Sequence, residues 1–357
     1  MVDHAEPRVF PCRHCGAQNR LRPLDIASRV NKVRCGGCSK PFFLDPDAPF
    51  PHLTSTAYEH PLDRSALDML RRVPGVNTVL RFILRELSER RMRMLFVQTA
   101  VKTHPEHLKP LHDMVLHGSR VLDLETTPEL FVMHDPRPNA FAIGVDDPFI
   151  VLTTAMLDVL DERQILGVIG HELGHIHAGH QLYRTALYLL LELADRLVGS
   201  LIPFREAAML TIYQALLYWN RCSELTADRA QMLVQRDFDS FVRCEMRFAA
   251  GCDYTRDLLN TEQFLIQAEE ATRMQEEHIL NRVYATIQMA DTTHPFPVWR
   301  AGHMLKWVTE GTYLDILCGN YTRRDPPPQP DLEEEDSPVS IDRMLDELRG
   351  LLGKTGL

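Results

Sequence analysis

"GVIGHELGHIHAGH", residues 167–180, puts four histidines and one carboxylate on fourteen consecutive positions. On a helix, residues four apart share a face, so His171 and His175 project together and their imidazoles can grip one ion. Glu172 stands about 100° round the axis. That is too far to join the grip, but within reach of a water on the metal. His177 and His180 fall on other faces of a helix continued through residue 180, and read as surface or supporting residues. Gly167, Gly170 and Gly174 form a stripe beside the histidine face. Each glycine costs a helix interior about 1 kcal/mol against alanine, so the stripe argues that a second helix approaches closely there.

A catalytic zinc site takes three protein ligands and keeps a fourth position open. "CSELTADRA", residues 222–230, supplies a partner helix on which Glu224 and Asp228 are again four apart. Glu224 can reach the ion. Asp228 can accept a hydrogen bond from the far nitrogen of a ligand imidazole and so fix its tautomer.

The surroundings give the fold class. "ELFVMH" (129–134), "NAFAIG" (139–144) and "FIVLTT" (149–154) are short strand candidates separated by turn residues. "PLDRSALDMLRRV" and "VLRFILRELSERRMRML" are amphipathic at helical period and are divided by Pro74-Gly75. The pattern predicts a helix over 162–180, a helical hairpin over 183–219 and another helix over 220–235. The expected class is α+β, predominantly helical, with a small antiparallel β patch inside a domain spanning 61–322. The hairpin either roofs the cleft or packs as core or dimer surface.

With these pieces in hand, "HELGH" followed by "SELTAD" resembles the HtpX-like zinc metallopeptidases of the gluzincin clan, a group that includes the CAAX prenyl proteases. "PNAFAIG" (138–144) and "THPFPVWR" (293–300) are similar to two further family motifs, and the four occur in the family's order across roughly 61–305. The resemblance implies a zinc endopeptidase with Glu172 as general base. It offers His294 as the donor to the oxyanion, with a turn residue before Pro295 as the competing reading. It implies that Arg300 pairs with Asp228 or orders its loop. Asn139, Ala140 and Phe141 become an edge strand to which an extended substrate adds by main-chain hydrogen bonds, or else an ordinary buried strand.

A second metal site precedes this domain. Cys12, Cys15, Cys35 and Cys38 form two C-x₂-C pairs, the spacing of a structural zinc site. Residues 1–45 therefore read as a zinc ribbon, which a fold so small needs for its stability. Redox-active C-x-x-C is the competing reading. Arg13, Arg20, Arg22, Arg29, Lys32 and Arg34 make the ribbon basic. Aromatic residues there are few, so the platform for single-stranded nucleic acid is weak and a protein partner is favoured. Cys222, Cys244, Cys252 and Cys318 read as core thiols.

The remaining stretches are connecting. Residues 46–60 read as a linker. Residues 323–357 read as an acidic, proline-rich linker followed by an amphipathic helix carrying Ile341, Met344, Leu345, Leu348 and Leu352, which suits docking on a protein partner. The 357 residues carry a net charge of −10, which argues against bulk nucleic-acid affinity. The first residues have no apolar signal segment. The most apolar run, 186–202, is interrupted by Glu192, Asp195 and Arg196, so no spanning helix is expected, while peripheral membrane contact stays open. Eight cysteines without an export signal point to a reducing, cytoplasmic setting. The expectation is a cytoplasmic zinc endopeptidase acting on polypeptides, with one catalytic and one structural Zn²⁺. The competing class is an inactive or autoinhibited peptidase-fold adaptor that binds protein, or nucleic acid, through its ribbon.

Overall fold

The structure, a computed structural model, describes residues 6–43, 48–73, 76, 80, 89–188, 203–277 and 295–324. Strands β1 (Arg8–Pro11) and β2 (Gln18–Leu21) form the ribbon hairpin, and α1 (Pro23–Ala27) follows. Then come α2 (Pro61–Arg71), α3 (Glu89–Thr99), β3 (Val101–Lys102), α4 (Lys109–Val121), β4 (Glu129–Met133), β5 (Ala140–Ile143) and β6 (Phe149–Thr153). The chain continues through α5 (Thr154–Val159), α6 (Glu162–His177), α7 (Pro203–Gln235), α8 (Phe238–Ala250), α9 (Thr261–Glu277), α10 (Pro297–Thr309) and α11 (Thr312–Leu317). The architecture is the expected α+β, mostly helical.

The larger sheet has the order β3-β4-β6-β5. Strands β5 and β6 are antiparallel, whereas β4 and β6 run parallel, so the patch is mixed rather than wholly antiparallel. The chain between β4 and β6 reaches the same direction by running up β5, which leaves β5 at the sheet edge.

Helix α6 starts on a capping box: Asp161 accepts from the Gln164 backbone, and Gln164 reaches back to the Asp161 N–H. It runs against α7, and the glycine stripe lies in that contact. A Cβ on Gly174 would stand 2.4 Å from the Ala230 Cβ, and one on Gly170 would stand 2.8 Å from the Val234 Cβ. The helix ends at His177, and Gly179 then takes φ +70°. That left-handed turn ends the helix and leads into a new helical segment at 181–188.

Two sequence expectations change. The helices read separately over 207–219 and 220–235 are one, α7, which has no Gly or Pro after Pro203 to break it. The switch from apolar to polar residues near 220 marks a change of surroundings, not of element. Ile212 and Leu216 pack with Tyr183, Ala186 and Leu187 and with Ala66 and Leu70 of α2, so both described arms of the 183–219 hairpin touch the core. The connection over 189–202 lies outside the described residues.

The stretch read as a linker is bound in. Phe50, Leu53 and Tyr58 are fully buried. Arg229 of α7 donates to the carbonyls of Tyr58 and Glu59, and His177 meets the Tyr58 hydroxyl at 2.7 Å. The ribbon shares this core: Phe10, Phe42 and Phe43 cluster with Trp307, Tyr313 and Leu314. Arg8 caps the join by donating to the Glu310 carbonyl at 3.0 Å and to Asp315 at 3.3 Å. Residues 325–357, including the predicted terminal helix, lie outside the described residues.

The glycine contact predicts a graded response. G174A drives a methyl against Ala230 Cβ and the Ala227 backbone, whereas G118A meets first the far end of the Leu173 side chain, which has rotamers to give. Overpacking of this kind costs typically about 1–3 kcal/mol. Urea unfolding should show G174A destabilised by that order and G118A by clearly less. Equal losses would show that the α6–α7 approach is not tight.

Candidate metal centre and cleft

The α6–α7 contact brings three donor groups together. His171 Nε2 and His175 Nε2 lie 3.2 Å apart. Glu224 Oε2 stands 3.3 Å from the first, and Glu224 Oε1 stands 3.2 Å from the second. Ligands about 2.0–2.1 Å from a tetrahedral zinc lie about 3.3–3.4 Å from one another, so the set fits such an ion. All three residues are buried. The tautomers also fit. His171 Nδ1 meets Asp228 Oδ1 at 3.0 Å, which holds a proton on Nδ1 and leaves Nε2 as the nitrogen turned to the other donors. His180 Nε2 meets Asp63 Oδ2 at 3.1 Å, and His180 Nδ1 meets His175 Nδ1 at 2.9 Å. Asp63 accepts only, so the chain of donors runs from His175 through His180 to Asp63 and again frees Nε2. Thr226 donates to the same Asp63 oxygen at 2.6 Å.

The electrostatics favour a cation. Burial alone would lower His171, but hydrogen bonds to Asp228 and Glu224 outweigh it and raise the pKa to about 9. Burial, with Arg184 beside it, pushes His175 well down, so it remains a neutral donor. Asp228 is held below the usual carboxylate range despite its burial, by Arg300 and His171. Arg300 Nε donates to Asp228 Oδ2 at 2.9 Å.

Two residues here, Arg184 and Glu245, escaped the sequence reading, and His180 takes the supporting one of its two readings. His180 is buried and joins the support chain instead of lying at the surface; the turn at Gly179 takes it off the α6 period, and that glycine was the available signal. Arg184 reaches Glu224 Oε1 at 2.5 Å and His175 Nε2 at 2.7 Å. Glu245 of α8 lies 3.4 Å from Arg300 Nη2, with burial raising its carboxyl to about 8. His177 is not a free surface residue either, since its Nε2 faces the Leu53 carbonyl at 3.1 Å.

A cleft of about 680 Å³ opens on this group and is lined by His171, Glu172, Glu224, Asn139, Ala140 and Phe296, among others. Glu172 is buried, and its Oε2 has no hydrogen-bond partner among the described residues. Such an atom is costly unless something in the cleft meets it. Asn139 O accepts from Thr153 N at 3.0 Å. By the alternation of antiparallel ladders, Ala140 and Ala142 then turn their backbone groups to the open edge. His294 lies outside the described residues.

In the ribbon, Cys12 and Cys38 Sγ are 3.8 Å apart and Cys15 and Cys35 Sγ 3.7 Å. Four thiolates about 2.3 Å from a tetrahedral zinc are spaced about 3.8 Å. Backbone N–H groups of His14 and Gly37 point at Cys12 and Cys35 sulfur at 3.4 and 3.3 Å. Of the four remaining cysteines, Cys252 departs from the core reading, being exposed.

Two buried histidines and a carboxylate from crossing helices, beside an unpartnered glutamate in a cleft, define a metallopeptidase type of centre. The sequence pattern of peptidase family M48 matches residues 105–308, and the chain belongs to that family, among its HtpX-like zinc metallopeptidases. The plastoglobule-localized metallopeptidase 48, chloroplastic, of Arabidopsis thaliana is 30% identical over 271 residues, covering 75% of this chain and 77% of that protein. A protease HtpX homolog of Caldanaerobacter subterraneus subsp. tengcongensis is 29% identical over 132 residues, 36% of this chain and 40% of that one. Another, from Dictyoglomus thermophilum, is 50% identical over 64 residues, 17% and 21% of the two chains. No solved structure matches the chain.

Glu245 supplies a pH test. Its folded pKa stands above the ordinary glutamate value of 4.5, so the folded protein holds this proton where the unfolded chain has released it. The stability linked to that proton is present below about pH 4.5 and is lost as pH rises toward 8. Between pH 5 and 8 the melting temperature of E245Q should therefore rise relative to wild type. A constant difference across that range would show that Glu245 is ionised in the folded protein.

Proposed function

We propose that this protein is a zinc-dependent endopeptidase that hydrolyses extended or unfolded polypeptides, in protein quality control or regulated proteolysis. The observation that carries the reading is the spacing of His171, His175 and Glu224, 3.2–3.3 Å apart, beside the unpartnered Glu172 oxygen. These three residues would hold the catalytic ion, and Cys12, Cys15, Cys35 and Cys38 a structural one. Bound zinc would lower the pKa of a water from ~15.7 to roughly 7 and polarise the scissile carbonyl.

The chain's own groups do the rest. Glu172 takes the proton of the attacking water on its free oxygen and delivers it to the leaving amine. Asp228 and the His180–Asp63 pair fix the two imidazoles, and Arg300 holds Asp228. The substrate lies along β5, where Ala140 and Ala142 present backbone donors and acceptors and Asn139 and Phe141 flank them. His294 is assigned as the oxyanion donor on its His-Pro motif. The ribbon is a place for a protein partner, since its basic residues Arg13, Arg20 and Arg29 stay exposed. No described helix is long and apolar enough to cross a membrane, and we place the protein in the cytoplasm on its unpaired thiols.

Metal counting and proteolysis test this together. Purified wild type should hold two zinc ions, E224A should lose one, and the variant with all four ribbon cysteines changed to serine should lose the other. An unfolded model protein should be cut by wild type and cut about 10²–10⁴-fold more slowly by E172Q. Equal cutting by both would assign the activity to another protein and leave the peptidase reading without support.

A further inference from the structure

A smaller cavity of about 160 Å³ shares Asn139 and Ala140 with the large cleft and continues along β5 to Ile143. Its other wall is the 181–188 segment with Asn220 of α7. The walls are mostly apolar, with Leu187 and the Phe141–Tyr188 ring stack, whose centroids are 6.3 Å apart. Among the described lining residues Arg184 alone is charged.

Arg184 is nearly buried, its side chain 10% exposed. One nitrogen, Nη1, makes both of its contacts, to Glu224 and His175. A guanidinium has five N–H donors in a planar fork, and those on Nε and Nη2 have no hydrogen-bond partner among the described residues. The charges do not close either. Glu224 carries one negative charge and serves both as a candidate metal ligand and as the partner of Arg184. Asp228 is taken up by Arg300 and His171. With a divalent ion on Glu224, no further carboxylate among the described residues pairs with the guanidinium, and in an apolar pocket an opposite charge is worth far more than in water.

The pocket lies where a strand added to β5 would place side chains, since alternate residues of such a strand face the same side. We propose that Arg184 forms a specificity subsite that takes a carboxylate, so that the enzyme selects an aspartate or glutamate side chain next to the scissile bond. This rests on the peptidase reading above and adds the substrate class. A carboxylate meets a guanidinium through two parallel hydrogen bonds, and Nε with Nη2 is the pair of donors that Arg184 has left. The neutral amide of glutamine keeps the shape but loses the charge. Lysine brings a second cation to the same place.

The test uses full-length, zinc-loaded protein and peptides identical except for Glu, Gln or Lys at one position, scanned across the scissile bond. Binding is read on E172Q, which turns peptide over slowly enough for a binding measurement, and cleavage on wild type. At one position Glu should bind on the order of 10–100-fold better than Gln, the worth of a charged hydrogen bond, and Lys should bind worst. Adding R184Q or R184M should bring the Glu/Gln ratio near one, while R184K keeps part of it. Zinc content measured on each variant separates loss of selection from loss of the metal. A wild-type ratio near one at every position overturns the proposal without need of any Arg184 variant, and so does a preference that survives R184Q and R184M. Cleavage without Glu preference would sink the subsite and leave the peptidase. Glu-selective binding by a wild type that cuts nothing would do the reverse.

Discussion

Everything at this centre depends on how near α6 can come to α7. Gly170 and Gly174 on one helix face Ala230 and Val234 on the other, with no room for a side chain between them. That approach carries Glu224 to within 3.2–3.3 Å of two imidazole nitrogens. The helix loses propensity at each glycine. Tertiary contact compensates, and the apolar residues beside the stripe, Ile169 and Leu173, are fully buried.

Three donor atoms drawn together in a dry place would repel unless their surroundings fixed where each proton sits. Two supports do this from different directions. Behind His171 stand Asp228, then Arg300, then Glu245, drawn from α7, α10 and α8. Behind His175 stand His180 and Asp63, the latter from α2 and itself bonded to Thr226 of α7. Five helices and the segment after Gly179 thus meet at one pair of imidazoles. Buried polar groups so connected are stabilising only when complete, which ties the geometry of the centre to the packing of the whole domain.

The parts of this arrangement that the sequence displayed are those set by local period. Residues four apart on a helix revealed His171 with His175 and Glu224 with Asp228. The two C-x₂-C pairs revealed the ribbon, and short apolar runs between turns located β4, β5 and β6 within a residue or so. Where a residue's place depends on a reversal or a distant partner, the period misleads. His180 was put on the wrong face by running the helix through Gly179. Arg184 and Glu245 each look like ordinary charges on amphipathic helices, and only the fold shows that they are buried against other charges. Residues 46–60 look polar and proline-rich, yet Phe50, Leu53 and Tyr58 are enough to anchor them. The long α7 was divided because its composition changes along its length, although nothing in its backbone does.

The seam at Arg8 bears on how the polypeptide is made. Arg8 bonds to groups at Glu310 and Asp315, some 302 and 307 positions along the chain. The ribbon emerges from the ribosome before α10 and α11, whose Trp307, Tyr313 and Leu314 share one apolar cluster with Phe10 and Phe42. At about 5–20 residues per second, the ribbon's greasy side waits on the order of 15–60 s for its mate. A metal held by the four cysteines would keep the small module compact through that interval, long before the histidine pair has a cleft to serve.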